Sequence, residues 1–199
     1  MKREVFNVPN VLSFIRLALV PVYWIAYFSW SVWWAFGIFV LASLTDYLDG
    51  LIARKFNLIT KLGKVLDPFA DKLMQMSAML SVVIDGKLHF IFAVVIIAKE
   101  LFMITCAAVL YGRKVVVYAN IYGKVATVYM ALGFVTLFIG IGMANSMMSA
   151  SGIVLTIGTV LLAIALVLSV FACVMYTIMT LKQLKGKLPS GDEEVDIIF

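Results

Sequence analysis

Six long apolar runs divide the chain, at about 11–28, 32–53, 68–84, 88–110, 121–144 and 152–181. Their lengths lie near or above the roughly 20 residues that carry a helix across a bilayer. Backbone amides and carbonyls find no water in hydrocarbon, so a run that crosses it is expected to be helical. The pattern predicts an all-α integral membrane protein, a bundle of six transmembrane helices. Lys2 and Arg3 precede the first run as they would precede a secretory signal. Arg16 interrupts that run and no small-residue cleavage site follows, so it is read as the first span. Its leading part, 7–13, has the alternative of lying flat along the cytoplasmic surface.

The charges between the runs orient the bundle. Alternate polar segments hold Lys2, Arg3, Arg54, Lys55, Lys61, Lys64, Arg113, Lys114, Lys182, Lys185 and Lys187, while the opposite set holds Lys87. Positive residues favour the cytoplasmic side, which predicts a multi-pass protein of the plasma (inner) membrane with both termini inside. Trp30, Trp33 and Trp34 cluster at the first outer turn, where amphipathic rings favour the interface.

Composition agrees with this class. Hydrophobic residues make up 64%, charged residues 14%, and the mean hydropathy is +1.07. About a quarter of an ordinary soluble domain is charged, so that class is excluded. No internal boundary stands out, and 1–187 is expected to form a single membrane domain. The tail 188–199 is polar and acidic and is expected to be disordered. Cys106 and Cys173 lie inside apolar runs without metal-binding spacing, and His89 has no neighbouring Cys or His. These residues suggest packed or lipid-facing thiols and no zinc site. Nothing in the charge pattern suggests a nucleic-acid partner.

Four aspartates carry the chemical signal. Asp46 and Asp49 are three residues apart, and Asp67 and Asp71 are four apart. On helices, both spacings put the two side chains on one face. A loop of about a dozen residues, 55–66, joins the second and third runs, which makes them antiparallel neighbours with the acids at their cytoplasmic ends. One carboxylate near a bilayer costs roughly 2.5 to 3.5 kcal/mol on insertion scales, and four together would also repel one another. Divalent cations relieve both costs. All-oxygen ligands suit Mg²⁺ or Mn²⁺, and two such ions serve displacement at phosphorus. Gly50 and Gly63 would let a ligand approach the backbone, Ala53 keeps the same face open, and Arg54 offers a fork for phosphate oxygens. The plain alternative is a set of structural salt bridges with Arg54, Lys64 and Lys72, which would not require this spacing or the interleaved glycines.

The stretch from Asp46-Tyr-Leu-Asp49-Gly50-Leu-Ile-Ala53-Arg54 through Gly63-Lys-Val-Leu-Asp67-Pro-Phe-Ala-Asp71 resembles the signature of the CDP-alcohol phosphotransferase family at every defined position. The resemblance implies a six-helix membrane fold with a cytoplasm-facing active site. It implies that Asp46, Asp49, Asp67 and Asp71 ligate two divalent ions, Mg²⁺ or Mn²⁺. It assigns Asp71 the further role of general base on the acceptor hydroxyl. Gly50, Ala53, Arg54 and Gly63 would line the CDP site. Members of the family usually form homodimers.

The acceptor is indicated less directly. Asn7-Val-Pro-Asn10-Val-Leu-Ser-Phe-Ile-Arg16 and Leu66-Asp67-Pro68-Phe-Ala-Asp71-Lys72 resemble two branches of that family. Both branches take CDP-diacylglycerol as donor. One uses glycerol 3-phosphate as acceptor, and the other uses phosphatidylglycerol. A phosphate monoester calls for cations, and Arg16, Arg113, Lys114 and Lys124 are the candidates. Gly123-Lys124 and Thr127 resemble a stretch of the glycerophosphate-using branch. Arg113 and Lys114 have an equal alternative as positive anchors for lipid headgroups. Lys99-Glu100 stands where that branch shows Arg-Glu, and the later arginine of that branch is missing. Adjacent helical residues point about 100° apart, so Lys99 and Glu100 are expected to serve different neighbours. A cation transporter is the non-enzyme alternative. The acids gather at one edge instead of tracing a path across the bilayer, which disfavours it.

Overall fold

A computed structural model of the protein describes residues 8–55, 63–112 and 121–184, with side chains described over 11–46, 63, 66–67, 69–106 and 121–181. The described residues form α1 (Val8–Ile25), α2 (Val32–Lys55), α3 (Gly63–Ile84), α4 (Ile91–Gly112), α5 (Ile121–Asn145) and α6 (Ser151–Leu184), with no strand among them. A π-helical turn, Ala26–Trp30, continues α1. Three stretches are long and apolar enough to cross a membrane: Val11–Trp30, Ile121–Asn145 and Ser151–Leu181. Val32–Asp46 is a shorter apolar helix. The protein is therefore an all-helical membrane protein. The tail expected at 188–199 lies outside the described residues.

The chain divides into two compact units. One comprises Met1–Ala93 with Val135–Leu155, and the other Val94–Phe134 with Thr156–Phe199. In the first, α1 packs on both α2 and α3. Polar bonds fix the register of α1 on α3. Ser13 Oγ donates to Asp67, Tyr23 and Ser81 share a hydroxyl bond at 2.6 Å, and Tyr27 Oη donates to Asp85 at 3.4 Å. The partners are 54, 58 and 58 residues apart, a nearly constant offset that means the two helices run parallel. The ladder climbs one buried stripe of α1 and its π-helical turn, through Ser13, Arg16, Tyr23 and Tyr27. Near its upper rungs, Phe138 lies fully buried, with rings of Tyr23, Tyr27, Phe36 and Phe39 around it at 5.6 to 6.3 Å. Glycine permits close approach beside this cluster, where a Cβ on Gly142 would stand 2.5 Å from the Trp33 ring.

In the second unit, α5 and α6 meet through the same device. A Cβ on Gly133 would come within 2.7 Å of the Leu162 side chain and 3.1 Å of its backbone nitrogen. Small residues let helix backbones approach closely in lipid, where apolar burial supplies no net drive. A groove of about 230 Å³ includes Ala98, Lys99, Phe102, Val170 and Cys173 in its lining. At its wall the structure corrects one expectation. Lys99 Nζ pairs with Glu100 Oε1 at 2.6 Å. The two backbone directions diverge, but both side chains are long enough to curl around the helix and meet.

Candidate active site

The first unit brings Asp46, Asp67 and Asp71, the aspartates of the motif whose side chains are described, to the same end of α1. Ser13 and Arg16 are three apart on that helix and share its buried face. Arg16 is 1% exposed, and a cation so buried is costly unless paired. Its Nη1 donates to Asp46 Oδ1 at 2.8 Å. Asp46 leaves 42% of its side chain exposed, so the pair joins the buried helix face to an accessible carboxylate on α2. Ser13, fully buried, donates its hydroxyl to Asp67 Oδ1 on α3.

One turn along α3, Asp71 accepts from its own helix. Gln75 Nε2 donates to Oδ1 at 3.1 Å and to Oδ2 at 2.9 Å. The i, i+4 spacing puts the amide directly beside the carboxylate. Asp71 also lies within electrostatic reach of Asp46, Lys72 and Arg16. Two acids from α3 and one from α2 therefore share a neighbourhood organised by α1. Gly63 is buried at the first residue of α3.

The other expected residues divide by position. Asp49, Gly50, Ala53 and Arg54 belong to α2, with side chains outside those described. Arg113 and Lys114 also lie outside the described residues. Lys124 is exposed near the start of α5, in the second unit. Among the described residues, no three acidic, histidine or cysteine side chains are close enough to share a metal ion. The donor set fits Mg²⁺ or Mn²⁺ in kind, because it consists of carboxylate oxygens on neighbouring helices.

Two participants escaped the sequence reading. Ser13 and Gln75 each bond an aspartate, and each had a readable signal. Ser13 stands one helical turn before an intramembrane arginine. Gln75 stands one turn after Asp71.

Comparison with known proteins adds an independent line. The family model described as CDP-alcohol phosphatidyltransferase matches residues 6–171. A protein of Bacillus subtilis (strain 168) named CDP-diacylglycerol–glycerol-3-phosphate 3-phosphatidyltransferase is 38% identical over 137 residues, covering 61% of this chain and 71% of the relative. A Mycobacterium tuberculosis protein named probable phosphatidylglycerophosphate synthase is 31% identical over 193 residues, covering 93% of this chain and 87% of the relative. A Mycobacterium bovis protein named putative cardiolipin synthase is 30% identical over 141 residues, covering 70% of this chain and 68% of the relative.

Proposed function

We propose, for a chain that belongs to the CDP-alcohol phosphatidyltransferase family, transfer of the phosphatidyl group of CDP-diacylglycerol to glycerol 3-phosphate, giving phosphatidylglycerophosphate and CMP. The observation that carries this choice of acceptor is the likeness to relatives bearing that activity in their names, one of them across 93% of the chain.

The residues take the following parts. Asp46, Asp49, Asp67 and Asp71 would hold two divalent ions, Mg²⁺ or Mn²⁺, which when bound supply Lewis-acid stabilisation to the attacking and leaving oxygens. Asp71 accepts the proton of the acceptor hydroxyl. The acceptor oxygen bonds to the lipid-bearing phosphorus as the bond from that phosphorus to the CMP phosphate oxygen breaks. CMP departs with the electron pair. Gly50, Ala53 and Gly63 leave room for CDP, and Arg54 binds its phosphates through the guanidinium fork. Arg113, Lys114 and Lys124 are candidates for the acceptor phosphate. Arg16 is a further candidate, and its bond to Asp46 supports a place beside the acids. Six spans, both termini in the cytoplasm and a homodimer of single-domain chains complete the proposal, with the site at the cytoplasmic face of the plasma membrane.

Purified protein given CDP-diacylglycerol, Mg²⁺ and an acceptor should release CMP with glycerol 3-phosphate and not with phosphatidylglycerol. Release with phosphatidylglycerol alone would establish the cardiolipin alternative, which the likeness to the Mycobacterium bovis protein supports. No CMP with any acceptor would remove both.

A further inference from the structure

We propose that Ser13 and Arg16 are positioning residues of the acidic site, setting the direction in which Asp67 and Asp46 present their carboxylates. This inference rests on the metal-site assignment above and adds residues outside the aspartate motif. Each of these two described bonds falls on one carboxylate oxygen, Oδ1 of Asp67 for Ser13 and Oδ1 of Asp46 for Arg16. A donor fixed on one oxygen sets the plane of the carboxyl group and thereby aims the other oxygen. Partners that orient metal ligands in this way govern affinity as well as geometry.

Burial makes these donors effective. Ser13 is 0% and Arg16 1% exposed, so water scarcely competes for either bond. The two donors stand three apart on one helix, while their acceptors stand on two others. A single rigid element thus aligns ligands from α2 and α3 together. Without it, each aspartate would sample several rotamers, and binding an ion would have to overcome that freedom.

A purely structural role for Ser13 would stabilise α1 on α3 and leave metal affinity alone. Mn²⁺ binding by detergent-purified protein, followed by electron paramagnetic resonance of free Mn²⁺, separates the two roles. Ser13→Ala should weaken Mn²⁺ binding about 10-fold or more. Ser13→Cys, a poor donor of nearly the same volume, should do likewise, and Ser13→Thr should restore the affinity. The metal-free unfolding temperature should fall by only a few degrees in Ser13→Ala and Ser13→Cys, the loss of one rung of the α1–α3 ladder, and should recover in Ser13→Thr.

Arg16→Met supplies a test of sign. If charge alone mattered, removing a cation beside the site would tighten Mn²⁺ binding. Loss of positioning loosens it, and that is the expected result. Unchanged Mn²⁺ affinity in Ser13→Ala, or failure of both the Ala and Cys variants to fold, would overturn the assignment. A parent protein that binds no Mn²⁺ and releases no CMP would overturn the metal assignment itself.

Discussion

Asp71 concentrates the chemistry at the residue scale. Gln75 holds both of its oxygens from one turn away, so the carboxylate is fixed before any substrate arrives. Asp71→Asn keeps the size and can still accept from Gln75, but it can neither take a proton nor offer two anionic oxygens. Turnover should fall by at least about 100-fold, the lower end of what a general base contributes. CMP release measures this, and an unchanged unfolding temperature shows that the fold survives. Near-normal turnover would remove Asp71 as the base. The nearness of Asp46, Asp67 and Asp71 was legible in the sequence because acids three and four apart fall on one helix face. Ser13 was not, because hydroxyls in apolar helices commonly bond back to their own backbone. Ser43, Thr105, Thr127 and Thr177 all donate to a carbonyl four residues earlier. Its place one turn before Arg16 is the one local feature that separates Ser13 from these, and the bond it makes shows only once α3 lies beside it.

At the scale of elements, the apolar runs located the helices because hydrocarbon allows the backbone few other solutions. Boundaries moved where polar residues continued a helix. α3 begins at Gly63, five residues before the apolar run, and so takes Asp67 into regular helix. The π-helical turn after α1 had no readable signal. Glycine contacts were equally silent, since a glycine in an apolar run looks the same whether it faces lipid or a neighbour. A Cβ on Gly140 would meet the Leu155 side chain at 2.9 Å and its backbone nitrogen at 3.0 Å, so rotating the leucine cannot relieve the clash. Gly140→Ala should destabilise the protein by about 1–3 kcal/mol, as overpacking typically does. Gly37 has open space around its Cβ position, and Gly37→Ala should be neutral or mildly stabilising. Thermal unfolding in detergent compares the two, and equal shifts would discount the close approach.

For the whole molecule, the placement of Lys and Arg predicts that the segment bearing Lys2 faces the cytoplasm and the one bearing Lys87 faces out. Single cysteines introduced at Lys2 and Lys87, after Cys106 and Cys173 are replaced by Ser, should react oppositely with a membrane-impermeant maleimide. Lys87→Cys should label in intact cells, and Lys2→Cys only after the membrane is opened. Labelling of both in intact cells would break the six-span topology.

The pairing of Lys99 with Glu100 reaches back to the protein's biogenesis. A lone charge midway along a span resists entry into lipid until some other helix neutralises it. Here acid and base cancel within α4 itself. In the proposed topology, that pairing lowers the cost of carrying either charge into lipid, so α4 should enter the bilayer more readily than a helix bearing Lys99 or Glu100 alone.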